Sequence, residues 1–435
     1  MKIFCAFLSL CLFGMAVGPD ITAAGENAEI PATQNLARGN FHHAVFSGDG
    51  KRLLTATDGV SQLWDVATGQ LVRQFDSHIA PIHGIRFSPD ERRILTAAGD
   101  PFIYGPEDPT ARLWDIATGK QLAVFDSGQQ SLADNQGEHR SAYVISAEFS
   151  PDGKRIVSVC KSKSSVPSVA AVWEIASAKV QFAISRICPF SDCTHAYESV
   201  KFGPAGDVLA GLVRDGKELN LWDGKTGRLR WKVDGDDFNF EEGQLSRFGS
   251  VEFSPSGKLL IAACSDKRAR IWTVSDGRQV RVLKGHTDEV WWVRFTADGK
   301  QVMTSSKDGT VRLWDTESGR QTKQFDHSGP IHNPGLNSDD SRLITTFFKR
   351  SSTDEAHEKQ QPWAALWNVH SGQKIKEYQL SQVHFRYSPF TPDGSQILIV
   401  VPTPPPTSGA AREKPREIAV HLIDVRTGAT IHEYD

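Results

Sequence analysis

The stretch Val290-Trp291-Trp292-Val293-Arg294-Phe295, Thr296-Ala297-Asp298-Gly299, Gln301-Val302-Met303-Thr304-Ser305-Ser306, Lys307-Asp308-Gly309, Thr310-Val311-Arg312-Leu313-Trp314-Asp315 decides the fold. Three short runs rich in β-branched and aromatic residues are separated by Asp-Gly turns. Thr316-Glu317-Ser318-Gly319 then leads to a fourth run, Gln321-Thr322-Lys323-Gln324-Phe325. Runs of this length between Gly and Asp turns read as strands joined by hairpins. The unit is therefore four antiparallel strands, a to d, with no helical period.

Working outward, the closing tripeptide recurs. Leu63-Trp64-Asp65, Leu113-Trp114-Asp115, Val172-Trp173-Glu174, Leu221-Trp222-Asp223, Ile271-Trp272-Thr273, Leu366-Trp367-Asn368 and Leu422-Ile423-Asp424 join Leu313-Trp314-Asp315. Self-similarity at a near-constant period marks a repeat architecture whose units cannot bury both faces alone. These residues, with the Phe-Ser-Pro-Asp-Gly-like turn before each, resemble the WD40 repeat family, in its bacterial, exported type. The resemblance runs from Phe41 to the C-terminus and implies an all-β propeller of four-stranded antiparallel blades around a channel. Eight units predict eight blades, with seven, the commoner number in the family, as the alternative. Their approximate limits are 41–76, 77–126, 139–184, 196–233, 248–284, 285–326, 327–378 and 379–435, after an N-terminal extension at 25–40.

The resemblance also implies a polar network. In the family a strand-c Trp donates to a Ser or Thr on strand b, which links through a His to an Asp in the b–c turn. Carried onto this sequence, the sixth unit has Trp314, Ser306, His286 and Asp308. The second has Trp114, His78 and Asp100, with Ala98 in the hydroxyl's place. The first has Trp64, Thr57 and Asp58, and the seventh pairs His327 with Trp367. Cys160 and Cys264 stand at that hydroxyl position in the third and fifth units, which are expected to lose the network. The role is structural, because a buried indole N–H needs an acceptor.

Lys2 followed by the uncharged Ile3–Gly18 and the small residues Thr22-Ala23-Ala24 reads as an export signal over 1–24. An uncleaved anchor is the alternative, although the apolar run is shorter than the ~20 residues a span needs. Beyond the signal, Cys188 and Cys193 flank a four-residue loop and could close a disulfide in an oxidising compartment; two free thiols are the alternative. Net charge is −3, so the electrostatic driver of nucleic-acid binding is missing. No membrane insertion is expected after signal cleavage.

Connections a–b and c–d are short throughout. The insertions, Pro101–Thr110, Lys161–Ser168, Lys349–Trp363 and Pro402–Arg416 between b and c, with Ser127–Arg140, Cys188–His195 and Asp234–Arg247 between d and a, all emerge on one face. Insertions confined to one face of a repeat ring often mark its binding face. Trp291, Trp292, Phe102, Tyr104 and Trp363 are the candidate contact residues there. The acidic residues around Asp236 and Glu241 fit no Ca²⁺ loop spacing. No Gly-X-Ser-X-Gly elbow, His-Glu-X-X-His pair, haem Cys pair or phosphate-cradling Gly loop is present. The expectation is a non-catalytic scaffold for a protein or peptide, without cofactor or metal. The alternative is a propeller enzyme, quinoprotein-like or a hydrolase, with a site assembled from those loops.

Overall fold

Each unit of the sequence folds into its own antiparallel sheet, its a–b and c–d strand pairs joined by turns of four or five residues that are too short to reach elsewhere. The computed structural model describes residues 43–56, 59–76, 78–99, 108–127, 142–162, 169–185, 200–213, 217–235, 248–331, 334–349, 361–380, 390–402, 418–427 and 429–434. All of them lie in the second of two units, Asn35–Asp435. Seven sheets have four strands in sequence order. Sheet 6, the reference, consists of Val290–Phe295, Gln301–Ser306, Thr310–Asp315 and Gln321–Asp326. The eighth sheet contains Gln396–Pro402, Ile418–Asp424 and Thr430–Tyr434, with an isolated bridge from Phe390 to Ile397 at its inner edge. The described residues contain no α-helix.

Turn chemistry explains the regularity. Asp65 Oδ1 accepts both the N–H (2.8 Å) and the hydroxyl (2.9 Å) of Thr68, and Gly69 follows at φ 68°. The same carboxylate clasp recurs at Asp115–Thr118, Asp223–Thr226, Asp315–Ser318 and Asp424–Thr427. The Asp of each Trp-Asp pair is thus there to cap its c–d turn.

Packing closes the circle. Side chains alternate in direction along each strand, so neighbours serve opposite boundaries. Leu53 and its cross-strand partner Trp64 face sheet 8, whereas Leu54 and Leu63 face sheet 2. The eight hydrophobic clusters each draw on two consecutive sheets, and the last joins Leu398 and Leu422 to Leu53, Trp64 and Val66. The ring therefore has eight blades, with the seam between sheets 8 and 1 made of side chains. Thr430–Tyr434 pairs with Ile418–Asp424 and is the outer strand of the last sheet.

Across three boundaries an outer-strand Phe meets the next sheet's Trp. Phe75–Trp114, Phe125–Trp173 and Phe325–Trp367 have ring centroids 5.7, 5.7 and 5.6 Å apart at steep interplanar angles. Such tilted contacts satisfy the aromatic quadrupoles and add about 1 kcal/mol each beyond area burial.

Candidate functional site

Strands alternate in direction, so the a–b and c–d turns share one face of the ring and the b–c and d–a connections share the other. The a–b turns hold five residues each (47–51, 88–92, 149 to 155 exclusive, and so on round the ring). The other face receives the long connections: Ala98 to Thr110, Lys349 to Gln361 and Pro402 to Ile418 among the b–c set, and Asp126 to Ala142, Ser185 to Val200 and Asp234 to Phe248 among the d–a set. Phe102, Tyr104, Asp100, Thr57, Asp58, Cys188 and Cys193 lie outside the described residues.

The three remaining candidate aromatics sit at the loop-bearing end of sheets 6 and 7. A bulge between Val290 and Trp292 leaves Trp291 out of the ladder. Its indole N–H donates to Glu289 Oε2 at 3.0 Å, and its carbonyl would meet a Cβ on Gly249 at 2.8 Å. Position 249 therefore has to be glycine. Trp292 and Trp363 instead pack, half-buried, on the core between sheets 6 and 7. Trp291 is thus held by a polar contact at the face.

The polar networks use a strand-b hydroxyl two residues before the position expected from the sequence. Trp314 Nε1 donates to Thr304 Oγ1 at 2.8 Å, not to Ser306; Thr304 meets His286 Nε2 at 2.7 Å, and His286 Nδ1 meets Asp308 Oδ2 at 2.8 Å. In sheet 2 the chain is Trp114 to Thr96 (3.0 Å), Thr96 to His78 (2.7 Å) and His78 to Asp108 (2.9 Å), so Ala98 is not the hydroxyl position and the acid is Asp108. Trp64 donates to Thr55 at 3.0 Å. Sheet 3 keeps a hydroxyl: Trp173 donates to Ser158 at 2.8 Å, and Ser158 contacts Ser127 at 2.8 Å, leaving Cys160 beyond it. In sheet 5 the position is Ala262, two residues before Cys264.

The reason is geometric. Trp314 pairs in register with Val302, and its indole reaches the diagonal neighbour Thr304, two residues along the facing strand. Residues i and i+2 share a face, so a reading two residues further along looks equally plausible on paper.

Protonation states follow. A neutral imidazole donating from Nδ1 to the carboxylate and accepting at Nε2 gives a one-way relay, Trp to Thr to His to Asp. Burial pushes the His286 pKa down despite Asp308 beside it. Burial alone would raise Asp308, but the hydrogen bonds from His286, the Thr287 N–H and Thr310 hold its carboxyl below the usual range. In sheet 7, His327 contacts Thr345 at 2.7 Å and the Phe325 carbonyl at 3.2 Å; burial lowers it to about 4. Sheet 5 replaces the histidine relay by a buried ion pair, Arg270 on both oxygens of Asp266 at 2.9 and 2.5 Å. These groups face inward and are framework.

A second charged set escaped the sequence reading. The residue before the strand-a aromatic is Arg86, Glu148, Lys201, Glu252 and Arg294 in sheets 2 to 6, an alternation of sign along the innermost strands. Arg86 pairs with Glu148 at 3.2 Å and Lys201 with Glu252 at 2.8 Å, each across a sheet boundary. Burial would depress Lys201, but Glu252 and Glu148 outweigh it and raise its pKa. The signal was present as charge-Phe dipeptides ahead of the tight turns: Arg86-Phe87, Glu148-Phe149, Lys201-Phe202, Glu252-Phe253 and Arg294-Phe295. Among the described residues no group of three His, Cys, Asp or Glu side chains could hold a metal ion.

Comparison with known proteins agrees with this geometry. The family model "WD domain, G-beta repeat" matches residues 69–115, 242–273 and 277–315. Apoptotic protease-activating factor 1 of Danio rerio is 23% identical over 262 residues, which cover 57% of this chain and 18% of that protein. Nuclear distribution protein PAC1 of Arthroderma otae is 34% identical over 97 residues, 22% of this chain and 21% of the relative. Nuclear distribution protein nudF of Aspergillus niger is 29% identical over 171 residues, 36% of this chain and 34% of the relative. The chain thus spans about a third or less of the curated relatives it matches. The crystal structure of the C-terminal WD40 domain of Sif2 superposes with a TM-score of 0.60 at 17% identity, covering 83% of this chain and 93% of that one. The fold is an eight-bladed β-propeller similar to that of the Sif2 WD40 domain, and three of its stretches match the WD repeat model in sequence.

Proposed function

We propose that the protein is a non-catalytic scaffold that holds a protein or peptide partner on the face bearing its long b–c and d–a connections. One observation carries the reading: a ring whose tight turns are nearly constant in length on one face concentrates all its variable chain on the other. Rigid scaffolds present recognition through such loops. The WD40 fold, and relatives whose names denote a protease-activating factor and nuclear distribution proteins, support a scaffold over an enzyme. The Phe-Ser-Pro-Asp-Gly turns and the apolar segment 3–18 support an exported protein of bacterial type.

Photocrosslinking in the native host tests the face. A photoreactive residue replacing Glu355 or Glu413, in two of the long connections, should yield a discrete adduct. The same residue replacing Lys51 or Ser338, in the tight turns, should not. Equal adducts from both sets, or adducts from the turns alone, would overturn the assignment.

A further inference from the structure

On the face opposite the long connections, the innermost strands and a–b turns of sheets 4, 5 and 6 enclose a cleft of about 270 Å³. Its apolar wall includes Phe202, Phe253 and Pro255, and its charged groups are Lys201, Glu252 and Arg294. Two cations and one anion give the lining a formal charge of +1 (+1 −1 +1). The charges are not equally engaged. Glu252 receives Lys201 Nζ at 2.8 Å, and Arg86 is matched by Glu148 in the same way. Arg294 ends the alternation. Among the described residues no carboxylate lies within ion-pair distance of its guanidinium, and the place of the next anion, in sheet 7, is taken by Gly335. Asp340 is near enough to feel its charge, but Asp340 Oδ2 is committed to the Ala297 N–H at 3.0 Å.

A half-buried guanidinium presents up to five donors in a planar fork, a shape matched by a carboxylate. Phenyl and proline surface beside it suits a short hydrocarbon stem rather than a compact inorganic ion. The geometry points to a binding site for a carboxylate on an apolar stem, received by Arg294, with Phe253 and Pro255 against the stem. A free carboxylic acid and the C-terminal residue of a peptide share this chemistry. Glu252 disfavours a second acidic group on the ligand, so monocarboxylates are preferred.

The test compares hexanoate with hexanamide, and acetyl-Ala-Leu with its C-terminal amide, by isothermal titration on the intact protein. Both acids should bind and both amides should bind at least about tenfold more weakly, the loss expected when a charge-assisted pair is removed. The stronger acid identifies the source. Arg294→Gln should remove the preference for acid over amide, while Arg86→Gln, in an internally matched pair, should keep it. If Arg294→Gln fails to fold, the acid–amide comparison on the native protein decides alone. Equal binding of acid and amide, or no binding of either acid at millimolar concentration, overturns the site.

Discussion

Asp340 accepts the backbone N–H of Ala297 at 3.0 Å across the boundary between sheets 6 and 7, from a turn position where φ is 56°. Glu91 does the same for Gly48 across the boundary between sheets 1 and 2, at φ 55°. Sheets 1, 3, 4, 5 and 6 have glycine at this turn position, and each faces a proline of the preceding turn, as Gly257 faces Pro204. Proline has no N–H to satisfy. Where the preceding turn has Gly48 or Ala297 instead, an N–H is present and an acidic side chain meets it, accepting a left-handed backbone to do so.

Substitution at position 340 should separate the two terms. Asp340→Ala loses the acceptor and keeps the strained φ, at about 1–3 kcal/mol. Asp340→Gly loses the acceptor but relieves the backbone by roughly 1 kcal/mol, so it should be the milder change. Urea unfolding midpoints check the order; an alanine variant as stable as the glycine variant would discard the account.

Thr304, not Ser306, should dominate the sheet 6 network. Thr304→Val keeps shape but leaves Trp314 Nε1 and His286 Nε2 unpaired in a buried site, costing about 2–4 kcal/mol. The Ser306 hydroxyl, also buried, donates to the Asp288 carbonyl at 3.1 Å and accepts the Asp308 N–H at 3.0 Å, but it serves two backbone groups at the half-exposed b–c turn rather than the Trp–His relay. Ser306→Ala should cost about 1 kcal/mol. Thermal or urea unfolding of both variants reads the ranking directly.

His327 gives the ring an acid-side weakness. Its folded pKa, about 4, lies below the ordinary histidine value near 6.5, so the unfolded chain binds the proton more tightly. Stability from this group is complete above about pH 6.5 and declines as the pH falls toward 4, by up to about 3 kcal/mol. His286, also depressed, acts in the same direction. Unfolding midpoints at pH 7, 5.5 and 4.5 should fall, and His327→Gln should flatten part of the slope. An unchanged slope in that variant would remove His327 as the cause.

The seam between sheets 8 and 1 should be the first boundary to open. Sheets 8 and 1 come from opposite ends of the ring's chain, so no connection ties them, and among the described residues their cluster has five buried members, against thirteen between sheets 4 and 5. Leu422→Ala should cost about 2–5 kcal/mol and raise amide exchange in sheets 1 and 8 before sheets 4 and 5. Uniform acceleration around the ring would contradict this.

Much of this molecule could be read from its Trp-Asp tripeptides, because a buried indole, its capping Asp and a glycine turn must occur together at one place in a blade. The eight units and their four strands follow from those residues. Register within a strand did not. Thr304 and Ser306, or Ser158 and Cys160, share a face, and only the cross-strand pairing of Val302 with Trp314 distinguishes them. Asp108 was missed because its b–c connection is lengthened, which moves the acid away from the spacing of sheet 6. Arg294 is visible in the sequence as a strand-a residue, yet its lack of a partner depends on what stands in sheet 7, some forty residues away.

The matched stretches 69–115 and 277–315 start at the outer strand of one sheet and finish at the third strand of the next. Phe75 and Trp114 therefore sit in a single unit of sequence although they belong to different blades. A duplication or loss of such a unit carries its own interlocking pair with it, Phe75 with Trp114 or Leu283 with Trp314, and leaves every other pair whole. Rings of this kind can change size during evolution by one recombination event, without first inventing a new contact between strangers.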